Sequence, residues 1–253
     1  MRARRLPVAA ALLLAVGAAC SAGPGAPASS GPSFPSPSPR QLLPAAVYAA
    51  LGASETVGVG TRDPARDAFP QQLFQMLGAG SVLYNFGIPG ETTQAALRDE
   101  LPQALAVRPT LATVWFNVDD LVAGVPAADY ESRLDQVVGG LRRAGVARVL
   151  VANTPQLDHL PAYSACRPSP PPGSPACPLG SARLPPPDQA DALVLAYNAA
   201  AARVAARWGA RLVDLYAAGE VPDLHPEYVS GDGFHPSTAG AAAIAATFAA
   251  ADR

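Results

Sequence analysis

"LATVWFNVDDL", Leu111–Leu121, joins two kinds of sequence. Leu111 to Phe116 is an uninterrupted apolar run, and directly behind it stand an amide, Asn117, and two adjacent carboxylates, Asp119 and Asp120. A short apolar run without alternation is the pattern of a strand covered on both faces. Strands are therefore expected at Leu111–Phe116 and at the comparable runs Ala46–Leu51, Ser81–Phe86, Arg148–Asn153 and Arg211–Leu215. Helical patterns separate them: "FPQQLFQML", "TTQAALRDELPQAL", "DQADALVLAYNAAAARVAARWG", "STAGAAAIAATFAAA", and "DYESRLDQVVGGLRRAG", where Tyr130, Leu134, Val137, Val138 and Leu141 recur at helical spacing. Strands alternating with helices predict an α/β fold, a parallel sheet with helices on both faces. Thr154 to Pro187 breaks the alternation with a proline-dense stretch of no regular pattern, the kind of long loop that either borders a site or is disordered, and its two cysteines favour the first.

The composition narrows the function classes. The chain has 253 residues, 49% hydrophobic and 15% charged, which suits one globular domain with a sizeable core. A net charge of −2 leaves no basic footprint, so no nucleic-acid partner is expected. All 18 basic residues are Arg. Mechanisms that need a lysine, such as a Schiff base, a Ser-Lys dyad or a P-loop, are excluded.

Residues 1–19 read as an export signal, with Arg2, Arg4 and Arg5 followed by the apolar run Val8–Ala19. That run is shorter than the roughly 20 residues that span a bilayer. "VGAAC" resembles a lipoprotein lipobox, which implies lipidation of Cys20 and a membrane anchor, each buried methylene contributing about 0.8 kcal/mol. Gly17 stands where that pattern usually has Leu, and a plain secretory signal is the alternative. Either way the protein is expected outside the cytoplasm. Residues 20–40 form a Pro/Ser-rich tether, and the folded domain is expected over 41–253. In an exported protein Cys166 and Cys177 are expected to form a disulfide, stabilising by roughly 3 kcal/mol at most. Two thiolates without a nearby His make a poor metal site.

Ligands of an open parallel sheet bind beyond the carboxyl ends of its strands. The first strand runs into "LGASET", where Gly52 permits a tight turn and Ser54 can present its hydroxyl and backbone N–H. Thr56 separates this block from the Gly-x-Ser-x-Gly elbow. The second strand is followed by "NFGIPGETT", whose Gly87 and Gly90 allow close backbone approach. Near the C-terminus, "SGDGFHPSTAG" sets Asp232 three residues before His235. A carboxylate so placed can accept the imidazole Nδ1–H and leave Nε2 as a general base. His159 and His225 lack such an arrangement, although Glu227 lies near His225.

In this order the four blocks resemble the SGNH (GDSL-type) hydrolases, with "DGFHPSTAG" the most specific element and the likeness running from about Tyr48 to the C-terminus. The resemblance implies a three-layer αβα sandwich around a five-stranded parallel sheet of flavodoxin-like type. It implies a serine ester hydrolase with Ser54 as nucleophile, His235 as base and then acid, and Asp232 orienting it. The backbone N–H groups of Ser54 and Gly90 would line the oxyanion hole. No metal or organic cofactor is implied, and the expected partner is a small-molecule, lipid or glycan acyl ester.

The chain departs from the family pattern twice. Ala53 replaces an Asp before the nucleophile, and "NVDD" replaces Gly-x-Asn-Asp, putting Asn117 at the Gly position and Asp119 where the Asn amide would donate to the oxyanion. A carboxylate about 4 Å from that oxyanion would oppose it by roughly 4 kcal/mol at an effective dielectric of 20. Three resolutions are open. Asn117 supplies the amide from the same face of a strand, which is the favoured expectation; Asp119 stays protonated and donates; or the chain is a non-catalytic surface lipoprotein that binds an acylated glycan or lipid. A cation held by Asn117, Asp119, Asp120, Asp232 and His235 ranks below these, since it leaves "LGAS" and "GIPG" unexplained.

Overall fold

The computed structural model describes residues 42–174, 176–177, 184–218 and 225–253, without the side chains of 187 and 188. The stretches read as an export signal and a tether, and Cys20 with them, lie outside the described residues. Five strands form one sheet in the order β2-β1-β3-β4-β5: β1 (Val47–Gly52), β2 (Val82–Asn85), β3 (Leu111–Trp115), β4 (Arg148–Ala152) and β5 (Arg211–Val213). Every pairing is parallel. Each predicted strand is present, and β3 stops at Trp115, because Phe116 turns out of the extended region with φ −122° and ψ −15°.

Side-chain alternation sorts the strand residues between two cores. Ala49, Leu51, Ala112, Val114, Val149 and Val151 face one helical layer, and Tyr48, Ala50, Leu111, Trp115, Leu150 and Ala152 face the other. The first layer holds α4 (Thr93–Asp99), α5 (Leu101–Ala106), α7 (Ala127–Arg143) and α8 (Pro187–Trp208). The second holds α3 (Phe69–Phe74) and α9 (Thr238–Ala251), with the single turns α1 (Ser54–Val57) and α2 (Pro64–Asp67) beside α3, and the short helix α6 (Asn117–Val122), which follows β3, sends Val118 and Leu121 into the first core. The result is a three-layer αβα sandwich. All five apolar residues of the α7 stripe are buried, as the helical period requires.

The long loop after β4 is more regular than its composition suggests. Leu157–His159 and Pro161–Cys166 are 3₁₀ turns, and the Cys166–Cys177 disulfide, closed over a separation of 11 residues, staples the loop beside them. The β4 end is fixed from two sides. Asn153 donates to Asp214 at 2.7 Å and accepts from the Tyr216 N–H, and Asn198 of α8 exchanges two hydrogen bonds with the Thr154 backbone.

Helix α9 is almost all small residues and lies close to its neighbours. At Gly240 a Cβ would stand 2.1 Å from the carbonyl oxygen of Tyr228, in the hairpin closed by the Val229–Pro236 bridge. Gly240→Ala must displace that backbone. The expected cost is about 1–3 kcal/mol, or roughly 2–10 °C in Tm for a domain of this size, measurable by thermal unfolding.

Candidate active site

The strand order reverses direction at β1, where the chain passes outward to β2 and then back to β3, so the crevice beyond β1 and β3 is the expected binding position. Ser54 opens α1 two residues past the end of β1 and is 8% exposed. Its Oγ lies 3.1 Å from His235 Nε2 and 3.3 Å from Glu55 Oε2.

His235 reaches this point from the far end of the chain because Ser230–Pro236 folds into a tight turn around Asp232. One Asp232 oxygen accepts from Ser230 Oγ at 2.7 Å and from the N–H groups of Phe234 and His235 at 2.8 and 2.9 Å. The other lies 2.7 Å from His235 Nδ1. Partial burial works against the charge on Asp232, but these hydrogen bonds outweigh it and hold the carboxyl at about 2. An ionised Asp232 accepts Nδ1–H and turns the Nε2 lone pair toward Ser54.

The Gly90 loop is tied to the same strand ends. Ile88 donates its N–H to Gly52 O at 3.0 Å, and Asn85 bridges the Gly87 N–H and the Thr56 carbonyl. Gly90 is exposed with φ +80°, a conformation that side chains rarely adopt. Asp120 anchors the other side of the loop: its two oxygens accept from the Thr93 N–H at 2.7 Å and the Thr93 hydroxyl at 2.8 Å, at the start of α4.

The structure corrects the expectation for Asn117. Residues 117 and 119 are not two apart in a strand but lie in the first turn of α6, so their side chains diverge. Asn117 is 1% exposed, its amide donates to Ala152 O at 3.1 Å, and its carbonyl accepts from Tyr130 OH at 3.0 Å. One N–H of the amide and its carbonyl are thus held by core partners, and the buried side chain gives no support to Asn117 as the oxyanion donor.

Asp119 instead carries a buried Oδ2 with no hydrogen-bond partner. Burial, and then the negative charges of Glu55, Asp120 and Glu91, push its carboxyl up to about 8. The cation reading loses its donor set as well, since Asn117 and Asp120 are committed elsewhere. Among the described residues no group of three or more His, Cys, Asp or Glu is placed to hold a metal ion. His225 pairs with Glu227 at 2.9 Å and stacks on Tyr228, away from Ser54's partners.

Sequence reasoning missed two buried carboxyls that support this edge. Glu100, fully buried between α4 and α5, accepts the Gly52 N–H at 2.9 Å, and burial pushes it up to about 9. The sequence offered Asp120 only as a strand-end charge or a low-ranked cation ligand, not as the anchor of Thr93. The "TTQAAL" start of α4 offered a signal, because a helix N-terminus is a natural seat for a carboxylate.

The family model for the GDSL-like lipase/acylhydrolase family matches residues 50–243. No curated protein matches the sequence. Solved structures share the fold at low identity: TesA, at 20% identity with 81% of this chain and 96% of that one covered, superposes with a TM-score of 0.60. The lipase/acylhydrolase from Enterococcus faecalis gives 19%, 79%, 92% and 0.57, and the psychrotrophic esterase EstA from Pseudoalteromonas sp. gives 15%, 81%, 94% and 0.58. With the αβα sandwich and the Ser54 crevice in place, the family match identifies the chain as a member of the GDSL-like lipase/acylhydrolase family and a carboxylic ester hydrolase.

Proposed function

We propose that the chain hydrolyses acyl esters through an acyl-enzyme on Ser54. The observation that carries this reading is the unbroken series Asp232–His235–Ser54, with contacts of 2.7 and 3.1 Å. Ser54 Oγ attacks the ester carbonyl as His235 Nε2 takes its proton. The oxyanion is held by the N–H groups of Ser54 and Gly90. As the intermediate collapses, the C–O bond to the alcohol breaks and His235 returns the proton to the leaving oxygen. Water, deprotonated by the same ring, then releases the acid. The esterase EstA structure is described as inhibited by monoethylphosphonate, and a phosphonate is accordingly a suitable probe. Ser54→Ala should lower hydrolysis of 4-nitrophenyl acetate by at least about 10⁴-fold and abolish labelling by a fluorophosphonate. Full activity in that variant sinks the mechanism, and a folded wild type that takes no label favours the binding-only reading.

The third oxyanion donor in this reading is the neutral carboxyl of Asp119. Its elevated position, about 8, keeps O–H present at neutral pH where an ordinary aspartate would be an anion facing the developing charge. The sign follows directly: the donor is present below that value and is lost as pH rises through it. Activity should fall about tenfold per pH unit above about 8. Asp119→Asn should remove this alkaline limb while keeping neutral activity, whereas Asp119→Ala should cost about 10²–10³ at neutral pH. An unchanged alkaline limb in Asp119→Asn refutes the assignment.

Export and a lipid anchor on Cys20 complete the proposal, supported by "VGAAC" after an apolar run. Metabolic labelling with an alkyne fatty acid should mark the wild type and not Cys20→Ser. A mature protein that starts elsewhere and carries no label contradicts the anchor.

A further inference from the structure

A cleft of about 120 Å³ begins beside His235 and Glu55 and extends under the ends of β3, β4 and β5, away from the Gly90 loop. Its walls are apolar: Val118, Leu157, Leu160, Leu215 and Phe234. The polar side chains Glu55, Gln156 and His235 also reach it. Thr247 borders it too, with its hydroxyl already donated to the Ala243 carbonyl at 3.0 Å.

One side of the cleft is a single face of α9. Gly240, Ala243, Ile244 and Thr247 follow the i, i+3, i+4, i+7 spacing that lines up one helix face. Gly240 lies five residues after His235, and Thr247 stands roughly 10 Å further along the axis at 1.5 Å per residue. Gly240 packs against the Tyr228 backbone near the His235 end, and beyond it Ala243, then Ile244 and Thr247, line the slot. A sugar in the slot would lose water from several hydroxyls with few partners to replace it. An alkyl chain would lose nothing polar.

The geometry points to this slot as the seat of a flexible apolar arm of the ester, with α9 acting as a ruler for its length. The inference rests on the Ser54–His235 reaction proposed above. The arm belongs either to the acyl group or to the alcohol, and the two are separated by experiment. Because His235 borders the slot, either arm can enter it while the ester carbonyl sits on Ser54.

The test uses two series, 4-nitrophenyl esters of increasing acyl length and acetates of increasing alkyl alcohol length. In one of them kcat/KM should rise about fourfold per added methylene, the fold-change equivalent to ~0.8 kcal/mol, until the arm reaches Thr247. Thr247→Phe should end the rise earlier, and Ala243→Phe earlier still; Thr247→Leu and Ala243→Leu provide milder versions if the Phe variants do not fold. A rise in the acyl series assigns the slot to the acid, and a rise in the alcohol series assigns it to the leaving group. Binding is read without turnover by the thermal shift that octanoate or octanol produces in Ser54→Ala, which should disappear when Ala243→Phe is added. A thermal shift without hydrolysis keeps the slot and removes the reaction. Flat profiles in both series, the same length cut-off in all variants, or a thermal shift indifferent to Ala243→Phe overturns the inference.

Discussion

The parallel pairing of β1 with β3, in register from Tyr48 opposite Leu111 to Gly52 opposite Trp115, is the constraint from which the site descends. Both strands are buried on both faces, so neither can slip without exposing a core. Their ends are therefore level, and the two chains that leave them, through Ala53 to Ser54 and through Phe116 to Asp119, emerge side by side. The Gly90 loop is then drawn to the same edge by Ile88 on Gly52 O and by Asp120 on Thr93. His235 alone arrives independently of this pairing, and it does so on a hairpin held against α9 by the close approach at Gly240.

The edge so built is crowded with carboxyl groups. Glu55, Glu91, Glu100, Asp119 and Asp120 all come from β1, β2 and β3 ends or the helices next to them, and burial raises four of these, Glu91, Glu100, Asp119 and Asp120. They meet this condition differently. Asp120 gains two hydrogen bonds from Thr93 and an Arg133 guanidinium at 4.0 Å, which support a charge. Glu100 has a single backbone donor and Asp119 a buried oxygen without a partner, and low polarity favours the neutral acid at both. The same solvent exclusion that makes an anion costly at Asp119 would, in the proposed mechanism, make a neutral O–H there useful to an oxyanion. Asp232, exposed at the surface and surrounded by donors, is the opposite case and stays charged.

Much of this was legible in the chain. Apolar runs without alternation marked a sheet covered on both sides, and all five strands were located from them. The Asp232–His235 spacing is local, so its geometry could be read from "DGFHP" alone. Asn117 failed for a physical reason: reading 117 and 119 as the same face of a strand required the strand to continue past Phe116, and the main chain there turns into a helix instead. Whether an apolar run ends one residue sooner depends on what lies across the sheet, which no local pattern records. Glu100 was missed because its partner, the Gly52 N–H, is 48 residues away.

The sequence by itself determined the fold class, because that depends on periodicity, and its resemblance to a known family pointed to Ser54, Asp232 and His235. Tertiary structure alone decided which groups meet: Ser54 and His235 are 181 residues apart and stand 3.1 Å from each other only after α9 has been packed against the sheet that contains β1. It also decided the chemical state of Asp119, since a carboxyl's charge is set by the water and the charges that surround it. Those surroundings are assembled from Glu55, Glu91 and Asp120, residues that come together only in the folded chain.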